Sequence, residues 1–201
     1  MKIKRIVIAM LALTLFLFAG CAKESLPPEP ALAPNTPGAL TITFDYEKQS
    51  GSASNQYAVW ISHMDGTLVK TLCATAYTAK GGYKVRPDSI ATWVGKATGI
   101  SDFDAVATAT PKSSGSVSNV WDLTDEAGNA VPAGQYYFLV EGTLRWQNRV
   151  LYVGEINIGG ESTVAEAVPD YVFRGEGRQP ALDESAPETG MIKNVRAEYI
   201  A

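Results

Sequence analysis

The chain of 201 residues carries 17 Lys and Arg against 21 Asp and Glu, a formal net charge of −4, with 46% hydrophobic residues. That length and apolar content suffice to bury one sizeable core without cross-links, and the acidic balance, with no basic stripe to neutralise phosphates, excludes a nucleic-acid partner. His63 is the only histidine, so a zinc centre would have to rely almost wholly on carboxylates.

Lys2, Lys4 and Arg5 precede an uncharged run over residues 6–18, the charged and apolar regions of an export signal. The run falls short of the roughly 20 apolar residues that a permanent membrane helix needs. Phe18, Ala19, Gly20 and Cys21 then place small residues directly before a cysteine. This resembles the lipobox of bacterial lipoproteins, with Phe18 where leucine is usual. The resemblance implies cleavage before Cys21 and acylation of its thiol and freed amine, and more than one acyl chain on one residue anchors stably. Ala22 lacks the aspartate that retains some lipoproteins at the inner membrane, which by the same resemblance points to the outer membrane. Residues 1–20 are thus expected to leave as the signal peptide, and the loss of their three positive charges moves the formal charge from −4 to −7.

Residues 21–37 follow as a tether. They hold Pro27, Pro28, Pro30, Pro34 and Pro37, and at about 3.1 Å per residue they reach on the order of 50 Å from the membrane. With Cys21 committed to lipid, Cys73 has no disulfide partner within the chain, and its apolar surroundings near Leu72 predict a buried, inert thiol.

Residues 38–201 read mostly as strands. Leu40, Ile42, Phe44 and Tyr46 alternate with Thr41, Thr43 and Asp45, the period of two that marks a half-buried strand. Residues 56–62 set Tyr57, Val59 and Ile61 against Ala58, Trp60 and Ser62, and Asp65-Gly66 joins them to residues 67–73 as a hairpin, glycine accepting the positive φ of the turn. Ile90, Trp93, Val94 and Ala97 recur at helical spacing after Pro87 and Asp88 and predict one short helix ending by Gly99. A Thr-rich loop leads into a strand at 117–121. Residues 135–141 and 150–158 are rich in β-branched and aromatic side chains and predict a hairpin across the polar segment 143–149. Residues 174–190 read as a long surface loop, and 191–200 alternate imperfectly as a closing strand. The expected fold is a single antiparallel β-sandwich with one short helix.

Three segments carry a family resemblance: QYAVWISHMDGTLVKTL at 56–72, KVRPDSIATW at 84–93 and WDLTDEAGNAVPAGQYYFLVE at 121–141. Their order and spacing resemble the predicted periplasmic proteins of domain-of-unknown-function family 2271. The resemblance implies an exported protein and brings no established activity with it. The last segment also resembles the immunoglobulin-like module of flagellar hook-capping proteins, in which a tryptophan strand, two turns and a tyrosine strand make one hairpin. It adds an immunoglobulin-like character to the expected sandwich and sets Trp121 and Tyr136 on neighbouring strands. Val131, Pro132, Ala133 and Gly134 suit the second turn.

Residues for chemistry are few. Asp122, Asp125 and Glu126, with Asn129, crowd one turn and offer hard oxygen ligands to a weakly held cation, although Asp, Asn and Gly are also what tight turns prefer. His63 beside a hairpin turn is expected to be solvated, and a Ser/His/Asp set would depend on it alone. Trp60, Trp93 and Trp121 fall in patterned elements and read as core residues, whereas Trp146, flanked by Arg145 and Gln147, is the candidate exposed contact for a ligand, with Arg145 beside it. DAVATATPKSS at 104–114 resembles the motif on which periplasmic flavin transferases attach flavin mononucleotide to threonine, which would make Thr110 the acceptor. Ala107 and Thr108 replace the hydroxyl residue and the glycine of that motif, and Pro111 pushes Thr110 toward an extended conformation. Thr110 is therefore expected to stay unmodified, and no cofactor is expected.

These features predict a non-enzymatic, lipid-anchored protein of the cell envelope, a binding or assembly module whose partners are the membrane and an envelope protein. Two alternatives stay open: an accessory protein of a periplasmic flavin-linked redox system, and a carboxylate-dependent hydrolase. The anchor is tested directly. Cys21→Ser removes the atom that takes the lipid, so metabolic labelling with a fatty acid should mark the wild type alone, and equal labelling of the variant would end the lipoprotein reading.

Overall fold

The structure, a computed structural model, describes residues 37–49, 55–97, 103–144, 148–174, 181–182 and 191–201. Cys21, the expected signal peptide, the tether up to residue 36, and the Arg145–Trp146 pair lie outside the described residues.

The alternation at the start of the domain becomes β1 (Ala39–Tyr46), whose Leu40, Ile42, Phe44 and Tyr46 all enter one core. In chain order there follow β2 (Gln56–Ser62), β3 (Leu68–Thr75), β4 (Ala107–Thr108), β5 (Gly115–Trp121), β6 (Gly134–Leu144), β7 (Asn148–Ile158), β8 (Thr163–Glu166), β9 (Val168–Arg174), β10 (Ala181–Leu182) and β11 (Ile192–Ile200). Among the described residues they form two sheets, ordered β5-β1-β11-β8 and β10-β9-β7-β6-β2-β3-β4. The pairs are antiparallel except for β3 with β4, a parallel pair of two residues. The fold is a β-sandwich, as its apolar period of two predicts.

The main core lies between the sheets. Tyr57, Val59, Ile61, Phe138, Val140, Tyr152 and Ile156 from the larger sheet meet the β1 residues, Trp121, Ile192, Val195 and Tyr199 from the smaller one. Phe138 gains its place because Gly154 sits directly opposite on β7; any Cβ there would collide with the ring. The imperfect alternation of β11 has a cause in its backbone. Between Thr43 and Asp45 the register with β1 slips by one residue, and Asn194 takes φ 53° at the slip. This β-bulge returns Val195, Ala197 and Tyr199 to the inward phase that Ile192 began.

Several expectations need correction. The expected hairpin linking Trp121 to Tyr136 does not form: β5 pairs with β1, and β6 pairs with β2 and β7. Residues 122–133 instead cross from one sheet to the other as an arch. Its ends are tied by Trp121 Nε1 donating to the Thr124 carbonyl at 2.7 Å and the Tyr136 hydroxyl donating to the Pro132 carbonyl at 2.8 Å. The two rings then meet edge to face across the core, 5.3 Å apart. The polar segment at 143–149 is mostly ladder, since pairing of β6 with β7 runs out to Leu144 and Asn148. The region 159–174 adds β8 and β9, and the single expected helix is joined by two shorter helical turns.

Those turns belong to a second layer on the outer face of the larger sheet. It comprises α1 (Ala76–Ala79), a 3-10 turn at Gly82–Lys84, and α2 (Ala91–Lys96). Under it Ala58, Trp60, Ala74, Ile90, Trp93 and Leu151 form a second core. Strand β2 is consequently buried along its whole length on both faces, which gives Trp60, on the phase opposite Tyr57, Val59 and Ile61, its place in the second core.

Trp121 anchors the arch and fills the core end of β5, fully buried. Trp121→Ala should cost about 3–5 kcal/mol, the range for emptying a large aromatic site, and chemical denaturation measures it. An unchanged midpoint would place the indole outside the cooperative core.

Candidate functional site

The outer layer is fastened by buried polar groups as well as by packing. Gln56, at the start of β2, accepts through Oε1 from the Thr75 hydroxyl at 2.6 Å, the Thr78 hydroxyl at 3.2 Å and the Thr78 N–H at 3.3 Å. The Thr78 and Ser89 hydroxyls lie 2.7 Å apart, both residues fully buried. Thr143 of β6 accepts from the Ile90 N–H at 3.0 Å and donates to the Asp88 carbonyl at 3.3 Å. Ile90 has φ 42°, a left-handed conformation that a β-branched residue adopts only under constraint, at a cost of order 1–3 kcal/mol.

Glu141 supplies the constraint on α2. Its side chain, on the outward phase of β6, is fully buried. One carboxyl oxygen accepts from the Thr92 N–H at 3.1 Å and the other from the Trp93 N–H at 2.8 Å. Ile90 itself offers no side-chain cap, so the first-turn amides of the helix are satisfied from the sheet. Trp93 Nε1 reaches back to the Thr71 hydroxyl on β3 at 3.2 Å. The surface that this scaffold presents is partly apolar. Val85 is 79% exposed and Tyr77 42%, with Arg86 5.9 Å from the centre of the Tyr77 ring and Lys84 6.0 Å from that of Tyr83.

The sequence candidates fall elsewhere and apart. Asp122 accepts from the N–H and hydroxyl of Thr124. Asp125 accepts from the Asn129 backbone and side chain and from the Ala127 N–H, and these donors, the Asn129 backbone first, hold its carboxyl below the usual range. Glu126 serves the edge of β3: its N–H donates to the Val69 carbonyl and its Oε1 accepts from the Thr71 N–H at 2.7 Å. Lys70 closes the turn onto the Thr124 hydroxyl and the Asp125 carbonyl. All three carboxyl groups act as turn and edge fittings, and among the described residues no three His, Cys, Asp or Glu side chains converge.

Thr110 is half-buried, outside any strand or helix just after β4, and Thr108, at the glycine position of the flavin motif, is a strand residue paired with Thr75. His63 is exposed at the β2–β3 turn, its ring 5.5 Å from that of Tyr136. Cys73 is a free, buried thiol whose pKa burial pushes up to about 12. Arg145 and Trp146 are outside the described residues. A shallow cleft of about 350 Å³ lies beside the β11 bulge, lined by Tyr152, Glu166, Pro169, Asn194 and Arg196 among others. Three of its polar side chains are engaged within the fold: Tyr152 donates to the Ile192 carbonyl, Asn194 to Asp45 and Arg196 to Glu198.

The family model described as predicted periplasmic protein (DUF2271) matches residues 39–170. The chain belongs to this family. The DUF2271 match takes in β1 to β8 together with the whole outer layer and ends before β11, the strand seated between β1 and β8. No curated protein and no solved structure matches the chain.

The groups that sequence reasoning missed are Glu141, Thr143 and Gln56 as anchors, and Tyr77, Lys84, Val85 and Arg86 as the surface they support. A glutamate on the outward phase of a strand reads as solvated, and only the helix packed over it reverses that. Glu141→Gln sets an amide donor against one of the two α2 amides and should cost about 1–3 kcal/mol. Equilibrium unfolding checks it; wild-type stability would mean that α2 needs no partner from β6.

Proposed function

We propose that this DUF2271 protein is a non-catalytic binding or assembly module of the cell envelope, cut before Cys21 and held there by lipid, with residues 21–37 as its tether. The outer layer is its working face. The observation that carries this reading is the outer layer itself: a buried network of Gln56, Thr78, Ser89, Glu141 and Thr143 fastens short helical turns whose far side exposes Val85 and Tyr77. Isolated turns of this length do not hold their shape in water, and binding surfaces gain affinity from such prior ordering. The carboxyl groups of Asp122, Asp125, Glu126 and Glu141, by contrast, are taken up in turns, a strand edge and a helix end.

A photo-crosslinking residue introduced in cells at Val85, and in a separate strain at the exposed Ser118 of β5, tests the proposal. Adducts, to protein or to lipid, should form from position 85 and be absent from position 118. The same adduct pattern at both positions, or none at either, would remove the outer layer as a binding face.

A further inference from the structure

We infer that the outer layer docks on an anionic lipid surface, through the turn that carries Tyr77, Tyr83, Lys84, Val85 and Arg86. The inference rests on the binding-face reading and names the partner of that face. Charge is the first ground. The segment 76–97 holds Lys80, Lys84, Arg86 and Lys96 against Asp88 alone, whereas the chain as a whole is at −4. Asp104 offsets Lys80 at 3.3 Å, Asp65 lies near Lys96, and Asp88 is directed at Arg149 of β7 at 3.7 Å, so the positive charge of the turn itself comes from Lys84 and Arg86. A basic face on an acidic protein turns the domain toward a negative surface.

Shape and side-chain type are the second ground. Gly82 lets the Tyr77 ring lie against the chain, since a Cβ there would strike both the ring and the Tyr77 carbonyl. Arg86 and Lys84 extend by the rings of Tyr77 and Tyr83, and Val85 stands out between them in sequence, 79% exposed. Tyrosine and the long stems of Lys and Arg suit the headgroup boundary, where one end of the side chain is apolar and the other wet. The cleft beside the β11 bulge lies on other elements, β7, β8, β9 and β11, whereas this face offers a projecting turn. A single projecting valine flanked by cations matches a plane of anionic headgroups. Such a contact is weak alone, but a lipid anchor on a short tether would raise its effective concentration.

The test uses the mature chain from residue 21 with Cys21→Ser, so that no acyl chain contributes, and measures its sedimentation with vesicles. Vesicles of phosphatidylcholine containing about one quarter phosphatidylglycerol should retain the protein, those of phosphatidylcholine alone should not, and added salt should release it. Lys84→Ala with Arg86→Ala should weaken partitioning about 25-fold, at about fivefold per cation, while Lys193→Ala on β11 should leave it unchanged. An unchanged melting midpoint shows that the substitutions preserve the fold. Equal binding to both vesicle types, or a double variant that binds like its parent, overturns the inference. Crosslinking of position 85 to protein without vesicle binding would reject the lipid partner and keep the binding face; silence in both experiments would reject both.

Discussion

A sheet with apolar side chains on both of its faces has to be covered twice, and the rest of this structure follows from that requirement. Strand β2 sends Tyr57, Val59 and Ile61 to one side and Ala58 and Trp60 to the other, and every residue from Gln56 to Ser62 is buried. The smaller sheet covers the first face. The second is met by a segment inserted between β3 and β5, too short in each of its helical turns to be stable alone. Removal of Trp60 and Trp93 from water contributes several kcal/mol, at roughly 25 cal/mol per Å² of apolar surface. The same burial creates a need, because the helix ends that it brings into the dry interior must find partners. Glu141, Thr143 and Gln56 meet it from the strands beneath.

Much of the sandwich was legible from the chain alone. The boundaries of β2 and the phase of β1 follow from alternation, the β2–β3 turn follows from Asp65-Gly66, and α2 from the spacing of Ile90, Trp93 and Ala97. What failed was the pairing of strands. The turn residues at 131–134 permit a hairpin, yet a turn motif is local and strand partnership is not: Trp121 joins the sheet of β1, Tyr136 the sheet of β2, and only the volume between the sheets decides this. Strand β8 is four residues long, and the first helical turns span only about one period of their own pattern, so neither leaves a signal above its surroundings.

The candidate site was less legible for a related reason. Asp122, Asp125 and Glu126 drew attention as clustered oxygen ligands, and the cluster is real in the chain; in the fold each group answers a different backbone donor. Glu126 behaves almost as a strand residue, meeting both Val69 and Thr71 along an edge that β4 covers only at Ala74 and Thr75. Charged side chains that blunt a free edge are common in sheet proteins. Tyr77 and Val85, in contrast, look in the chain like ordinary core residues. Their exposure is a property of how the layer sits on the sheet.

The position of β1 has a consequence for the order in which the molecule can be assembled. β1 pairs along its length with β11, so that Ala39 lies opposite Ile200 and Tyr46 opposite Ile192. Contacts that span so much sequence are slow to form, because the closure entropy comes due before the contact returns anything. A chain delivered amino end first therefore holds β1 with one edge open until its last strand arrives. During that interval the larger sheet, β2 with β3 and β6 with β7, can already close through hairpins, while the alternating face of Leu40, Ile42, Phe44 and Tyr46 has only β5 beside it. Until β11 pairs, the open edge of β1 is one that a strand of another copy could take.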